Sequence, residues 1–197
     1  DSVYYNSGGQ LNNETEYALG ISKSGNFAFV TISGTNFSTS QRNSFIIKID
    51  SVGKTLKRFS YDNTGQYIYN SSGVCNSSTK VFVTGTLLNT AVIDSGKLFI
   101  SIFSKDLDSL DYKVYDDSQN TGVLAQLIFD NDKYIYGTGY CDVDASTYGD
   151  LFVVKFDTLG NLIWKNRYGL TNRNEGSSSI QLINGDKLFI GGPSNEG

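Results

Sequence analysis

The chain has 197 residues, a formal net charge of −4 and no His. That length fits one good-sized domain or a small closed β architecture. The acidic balance argues against nucleic acid, which needs a basic face, and the absence of His excludes a Ser-His-Asp or Cys-His constellation and a His-ligated zinc site within the chain.

With 13 Tyr, 12 Phe, 21 Gly and a single Pro, the composition favours pleated strands joined by Gly, Asn, Asp and Ser turns. No long run carries apolar residues at helical spacing, so the fold class is all-β. No apolar run approaches the roughly 20 residues of a membrane span, so no direct membrane insertion is expected. The opening "DSVYYNSGG" has neither the basic start nor the apolar stretch of a signal peptide. A start without Met is read as processing or truncation.

In chain order, "SVYY" reads as the end of one strand and "FAFVTISG", ending at Gly34, as another. "SFIIKID" follows, then a tight turn "DSVGK" and a return strand. The polar stretch "DNTGQYIYNSS" precedes "KVFVTG", and "TLLNTAVIDSGK" leads to "LFISIFS". After "DDSQNTG" comes "KYIYGTG", then "YCDVDASTYGD" and "LFVVKFD". The turn "DTLGN" leads into "LIWKNRY", the loop "GLTNRNEG", the strand "SSSIQLI", the turn "NGDK" and the strand "KLFIGG".

These elements repeat. Phe45, Phe99 and Phe152 each open a strand; a Tyr stands 16 residues on (Tyr61, Tyr115, Tyr168) and a Gly 24 further (Gly85, Gly139, Gly192). The period is 51 to 54 residues, counting the earlier Gly34. Each period holds four strands and two tight hairpins. In "LFVVKFD" both faces are largely apolar, so both are expected to be covered. Four antiparallel strands per repeat of about 50 residues is the pattern of a β-propeller blade. From the centre outwards, "SSSIQLI" and "KLFIGG" are strands A and B, while "LFVVKFD" and "LIWKNRY" are C and D. A β-sandwich with regular hairpins is the competing fold, but it predicts no fixed Phe-Tyr-Gly spacing. The expected architecture is a single propeller domain over 1–197. Its repeats run approximately over 1–43, 44–95, 96–149 and 150–197, which makes about three and a half to four blades. Because the chain begins near the end of a D strand and stops after a B strand, a piece of a larger propeller is expected, with a nearly complete four-bladed ring or a partner that supplies the rest as the other options.

"DLFVVKFDTLGNLIWKNRYG", followed by "NEGSSSIQLINGDKLFIGG", resembles the bacterial β-propeller repeat called SBBP. That pattern runs Asp-x-Phe-[Val/Ile]-x-Lys-[Leu/Phe]-Asp-x-x-Gly-x-[Leu/Ile]-x-Trp, then a Gly-rich link and Ile-x-x-x-x-Gly-x-[Ile/Val]-x-x-Gly. The resemblance is close at 150–192, fair at 44–86 and weak at 96–140, where Ser104 replaces the turn Asp and Leu107 falls where Gly53 and Gly160 sit. Only the last copy has the Trp, at Trp164. The resemblance implies a propeller on a secreted or cell-surface protein. It implies no common active site, so no catalytic residue is assigned.

The connections between B and C and between D and A vary in length and composition. In a blade they emerge on one face, the tight turns on the other. Variable loops mark the binding face of repeat proteins, which places a ligand-binding face at Phe37, Arg42, Tyr67, Tyr69, Asp116, Asp117, Tyr140, Tyr148, Arg173 and Glu175. Phe45, Phe99, Phe152 and Trp164 are expected in the core. Asp142, Asp144 and Asp150 cluster in one loop whose Asp-x-Asp-x-Ser start is that of a calcium loop, without its sharp-turn Gly or distal Glu. A solvated acidic loop is the leading reading there, and calcium the candidate cofactor. Asn13, Asn36, Asn70 and Asn76 begin Asn-x-Ser/Thr triplets, at about the number chance supplies, so they permit glycosylation without arguing for it. Cys75 and Cys141 are read as free, partly buried thiols, with a disulfide as the alternative. The expected function is a non-enzymatic extracellular module that binds a protein or glycan or builds an assembly. A carbohydrate-active enzyme working through loop carboxylates and a purely structural subunit of a surface filament or layer are the alternatives.

Overall fold

The computed structural model describes residues 14–36, 41–61, 67–89, 92–115, 122–130, 133–142, 149–169, 173–175, 179–183, 187–192 and 194–196. These residues form β-strands and short turns, and none of them is helical. No helix among them is therefore long and apolar enough to cross a membrane.

Twelve strands form three antiparallel four-stranded sheets, each a meander in chain order. The first sheet holds β1 (Glu14–Ser24), β2 (Phe27–Asn36), β3 (Gln41–Asp50) and β4 (Thr55–Tyr61). The second holds β5 (Tyr67–Asn76), β6 (Lys80–Asn89), β7 (Val92–Ser104) and β8 (Ser109–Tyr115). The third holds β9 (Gly122–Asp130), β10 (Tyr134–Asp142), β11 (Gly149–Asp157) and β12 (Leu162–Tyr168). Beyond them β13 (Arg173–Glu175) pairs with β16 (Ser194–Glu196), and β14 (Ser179–Ile183) with β15 (Lys187–Gly191). Among the described residues the sheets do not close into a barrel or ring.

The sheets stack because their faces leave them no alternative. In β7, Phe99, Ser101 and Phe103 alternate with Leu98, Ile100 and Ile102, and all six are buried. The period of two sends each set to its own side. Phe99 and Phe103 pack with Phe29 and Ile46 of the first sheet. Leu98, Ile100 and Ile102 pack with Phe152, Val154 and Phe156 of the third. The expected core aromatics Phe45, Phe99 and Phe152 are buried. Trp164 is only partly buried, its ring against Tyr136. Cys75 is a free, buried thiol.

The first strand of each later sheet packs on the sheet before it: β5 against β1, β2 and β3, β9 against β5, β6 and β7, and β14 against β9 and β10. Each of β1, β5 and β9 carries a register shift, at Ala18/Gly20, at Ser71/Gly73 and opposite Thr138/Gly139. The residues that the register skips are Leu19, Ser72 and Ala125. They stand at one position of the repeat, so the bulges recur like the strands.

The turn between the third and fourth strand of each sheet is also one structure written three ways. Asp50 Oδ1 accepts from the amides of Val52 and Lys54, and Asp157 Oδ1 from those of Leu159 and Asn161. In the middle sheet the Ser104 hydroxyl takes the amides of Asp106 and Asp108. Gly53 and Gly160 have φ of 83° and 76°, and Leu107 adopts the same left-handed backbone at 57°. A left-handed Leu costs roughly 1–2 kcal/mol. Leu107 offsets this by burying its side chain to 2 % exposure among Phe103, Val81 and their neighbours, worth about 1.5–3 kcal/mol. The copy that departs furthest from the repeat therefore keeps its fold.

Two substitutions separate these terms. Leu107→Gly relieves the backbone but removes the packing and leaves a cavity, so urea unfolding should show a loss of about 1–3 kcal/mol; a gain in stability would mean that the backbone term dominates. Gly160→Ala should cost about 1–2 kcal/mol, because its Cβ would take an unfavourable φ and sit 3.2 Å from Ile100 Cγ2.

Candidate functional site

Antiparallel meanders have two ends. One collects the turns β1–β2 and β3–β4 with their counterparts, and the other collects the β2–β3 and β4–β5 connections with theirs. At the turn end each sheet grips the next. Lys48 Nζ lies 2.8 Å from Asp106 Oδ1, and Lys57 Nζ 2.6 Å from Asp108 Oδ1. Between the second and third sheets Lys113 donates to Asn161 Oδ1 at 2.7 Å and the Tyr115 hydroxyl to the Gly160 carbonyl. The exposed carboxylates Asp106 and Asp108 make pairs worth little singly; their role is register between sheets.

Nearer the bulges the joint is buried. Thr31 Oγ1 donates to the Ser72 carbonyl at 3.0 Å, and the hydroxyls of Ser44 and Ser71 are 2.5 Å apart. A Cβ on Gly20 would stand 2.5 Å from the Ser72 carbonyl oxygen, so only Gly permits this approach. An open cavity of about 350 Å³ lies here, lined by Leu19, Gly20, Ile21, Gly73, Gln126 and Leu127 among others.

The residues expected on the ligand face are dispersed. Phe37, Asp116, Asp117, Tyr148, Asp144 and Asn13 lie outside the described residues. Strand direction brings Arg42 (opposite Thr35), Tyr67 (opposite Asn89) and Asp142 (opposite Gly149) to the connection end. Tyr140 is there too and is 41 % exposed. Arg173 and Glu175 belong to β13, paired with Glu196 and Ser194. Tyr69 is a packing residue rather than an exposed loop aromatic: β5 starts at Tyr67, and the Tyr69 ring stacks on Tyr61 with centroids 5.1 Å apart. Asp150, expected near a calcium loop, accepts from Arg167 Nη2 at 3.2 Å. Among the described residues no group of three or more potential metal ligands is found. Asn36 closes β2 opposite Gln41, and Asn70 is partly buried in β5 opposite Thr86. Asn76 has its amide fully engaged: Nδ2 donates to Ser22 Oγ at 2.5 Å and to the Lys23 carbonyl at 2.9 Å, while Oδ1 accepts from Lys105. A glycan on Asn76 would displace one of those donors.

Sequence reasoning missed the surroundings of Lys105. Its ammonium donates to Ser24 Oγ at 2.8 Å and to Asn76, and lies 5.3 Å from the Phe29 ring centroid. Burial, and then the nearby Lys48 charge, lower its pKa from the ordinary lysine value. The available signal was local: Lys105 occupies the turn position that is Ser51 and Thr158 in the other copies.

Compared with known proteins, the sequence matches no family model, and no curated protein matches it either.

Two titrations check the electrostatics. Burial pushes the Cys75 thiol well above its ordinary value, with Lys105 opposing only in part, so the thiolate that reacts is scarce. Ellman's reagent should find Cys75 unreactive at pH 8 in the folded chain and reactive in denaturant; fast native labelling of Cys75, located by peptide mapping, would contradict its placement. At Asp157 burial alone would raise the carboxyl pKa, but hydrogen bonds from Asn161 and Leu159 and the Lys113 charge outweigh it and lower the value below 3.8. A depressed folded pKa adds stability above the unfolded value that is lost as pH falls through the folded one. Urea midpoints should therefore hold at pH 5 and drop below about pH 4, with a smaller drop in Asp157→Asn.

Proposed function

We propose that the chain is a non-enzymatic binding module of the β-propeller type. Each four-stranded sheet acts as a blade, and the ligand is a protein or glycan met outside the cell or on its surface. The carrying observation is the contrast between the two ends. The third-to-fourth-strand turn spans 50–54, 104–108 and 157–161, the same length in all three sheets, with the same Asp or Ser oxygen holding its amides. At the other end the second and third strands are separated by 37–40, 90–91 and 143–148. A scaffold that holds this turn constant and varies the opposite connection suits recognition at the varied end. The reading needs no cofactor, and Asp106, Asp108 and Asp150 are each paired with a cation.

Glycan arrays and cross-linking capture on cell-surface extracts would identify the ligand. Alanine at Arg42 and Tyr140 should then weaken binding about tenfold or more, the scale of losing one good contact. Val52→Ala, on an exposed turn at the opposite end, should leave it unchanged. Equal losses at both ends, or chemical turnover of the captured ligand, would overturn the proposal.

A further inference from the structure

A second cavity, of about 300 Å³, opens at the turn end between the first two sheets. Its lining includes Ser24, Asn26, Phe27, Phe29, Lys48 and Lys105. Two ammonium groups therefore face one small space. Lys48 is balanced by Asp106, whose carboxylate is 76 % exposed at the rim. Lys105 has no such balance: among the described residues its nitrogen meets only neutral acceptors, Ser24 Oγ and Asn76 Oδ1. An ammonium has three protons, and these acceptors use two of them. The third has no protein acceptor among the described residues. Both lysines also lie over aromatic faces, Lys48 Nζ at 4.6 Å from the Phe27 centroid and Lys105 Nζ at 5.3 Å from that of Phe29. An anion that reached both ammonium groups would be held by charge-assisted hydrogen bonds.

From this geometry we infer that the Lys48–Lys105 cavity is a binding site for a small sugar carboxylate, a hexuronate. The carboxylate accepts from Lys105 and Lys48. The Phe27 ring, 40 % exposed, offers a flat apolar wall for the C–H face of the sugar. The Asn26 side-chain amide and the hydroxyl of Ser24 can meet its hydroxyls. The volume sits at the lower edge of cavities that hold small molecules, which fits one monosaccharide rather than a chain. Partial burial and then the Lys48 charge disfavour the Lys105 ammonium, and a bound anion would offset both. The site lies at the end of the sheets opposite the proposed ligand face and does not depend on that reading.

The test is a titration of the isotopically labelled chain with sodium glucuronate, followed through the backbone amides of Gly25, Asn26, Ser78 and Lys105. Saturable shifts at these amides are expected. The neutral methyl ester of glucuronate should bind about tenfold more weakly or not at all, the effect of losing a charge-assisted contact. That comparison uses the unmodified protein. Lys105→Gln and, separately, Lys48→Gln should each weaken glucuronate about tenfold, with the dispersion of the remaining amides reporting that the variant is folded. No saturation with glucuronate, equal binding of acid and ester, or full binding by both variants overturns the site. Inorganic phosphate saturating the same amides at equal or lower concentration overturns its assignment to a carboxylate.

Discussion

A four-stranded sheet that is apolar on both faces cannot stand alone in water, and that constraint governs this chain. The middle sheet commits Phe99 and Phe103 to one neighbour and Ile100 and Ile102 to the other. Removing either neighbour would expose side chains that now bury completely, at about 25 cal/mol for every Å² returned to water. The turns, bulges and ion pairs described above are devices for holding sheets in the one alignment where those faces meet.

The polar devices differ between joints although the backbone does not. Between the first and second sheets, charges do the aligning: Lys48 and Lys57 reach Asp106 and Asp108. Between the second and third, the partners are an amide and a backbone carbonyl, reached by Lys113 and Tyr115. The stretch Ser104–Asp108 reads as a degraded repeat in sequence because Ser104 replaces the turn Asp and Leu107 the Gly, and three of its five residues are charged. In space two of those charges, Asp106 and Asp108, grip the preceding sheet, and the third, Lys105, reaches Ser24 in it.

The strands were legible because alternation and turn chemistry are local, and the hairpins around Gly53 and Gly160 follow from the residues that form them. The conformation of Leu107 was not legible: nothing in a short window says that a buried Leu will offset a left-handed φ. The packing of Tyr69 was not legible for the same reason. Its strand is fixed by pairing with Leu87 some twenty residues on, and its ring by Tyr61, which the sequence does not mark as a neighbour. The Lys105 cavity draws on three strand ends and three turns, and Lys105 itself has no counterpart in the other copies, so periodicity, the best guide to the fold, hides it. Arg42, Tyr67, Tyr140 and Asp142 lie at the connection ends of their own strands because strand direction alone decides to which end a residue goes.

Two-sided burial also has a meaning for the order in which the chain emerges during synthesis. Each sheet is a nearest-neighbour meander, so its hydrogen bonds can form once about fifty residues are available. Its forward face, however, stays uncovered until the next sheet is complete. At the roughly 5–20 residues per second of translation, that interval is roughly 3–10 s. During it Phe29 and Ile46 present an apolar sheet face to the crowded solution. A slow stretch of message in the second repeat would lengthen the exposure, while a fast one would shorten it. The tempo of translation is thus coupled to solubility through a face that is invisible in the finished fold.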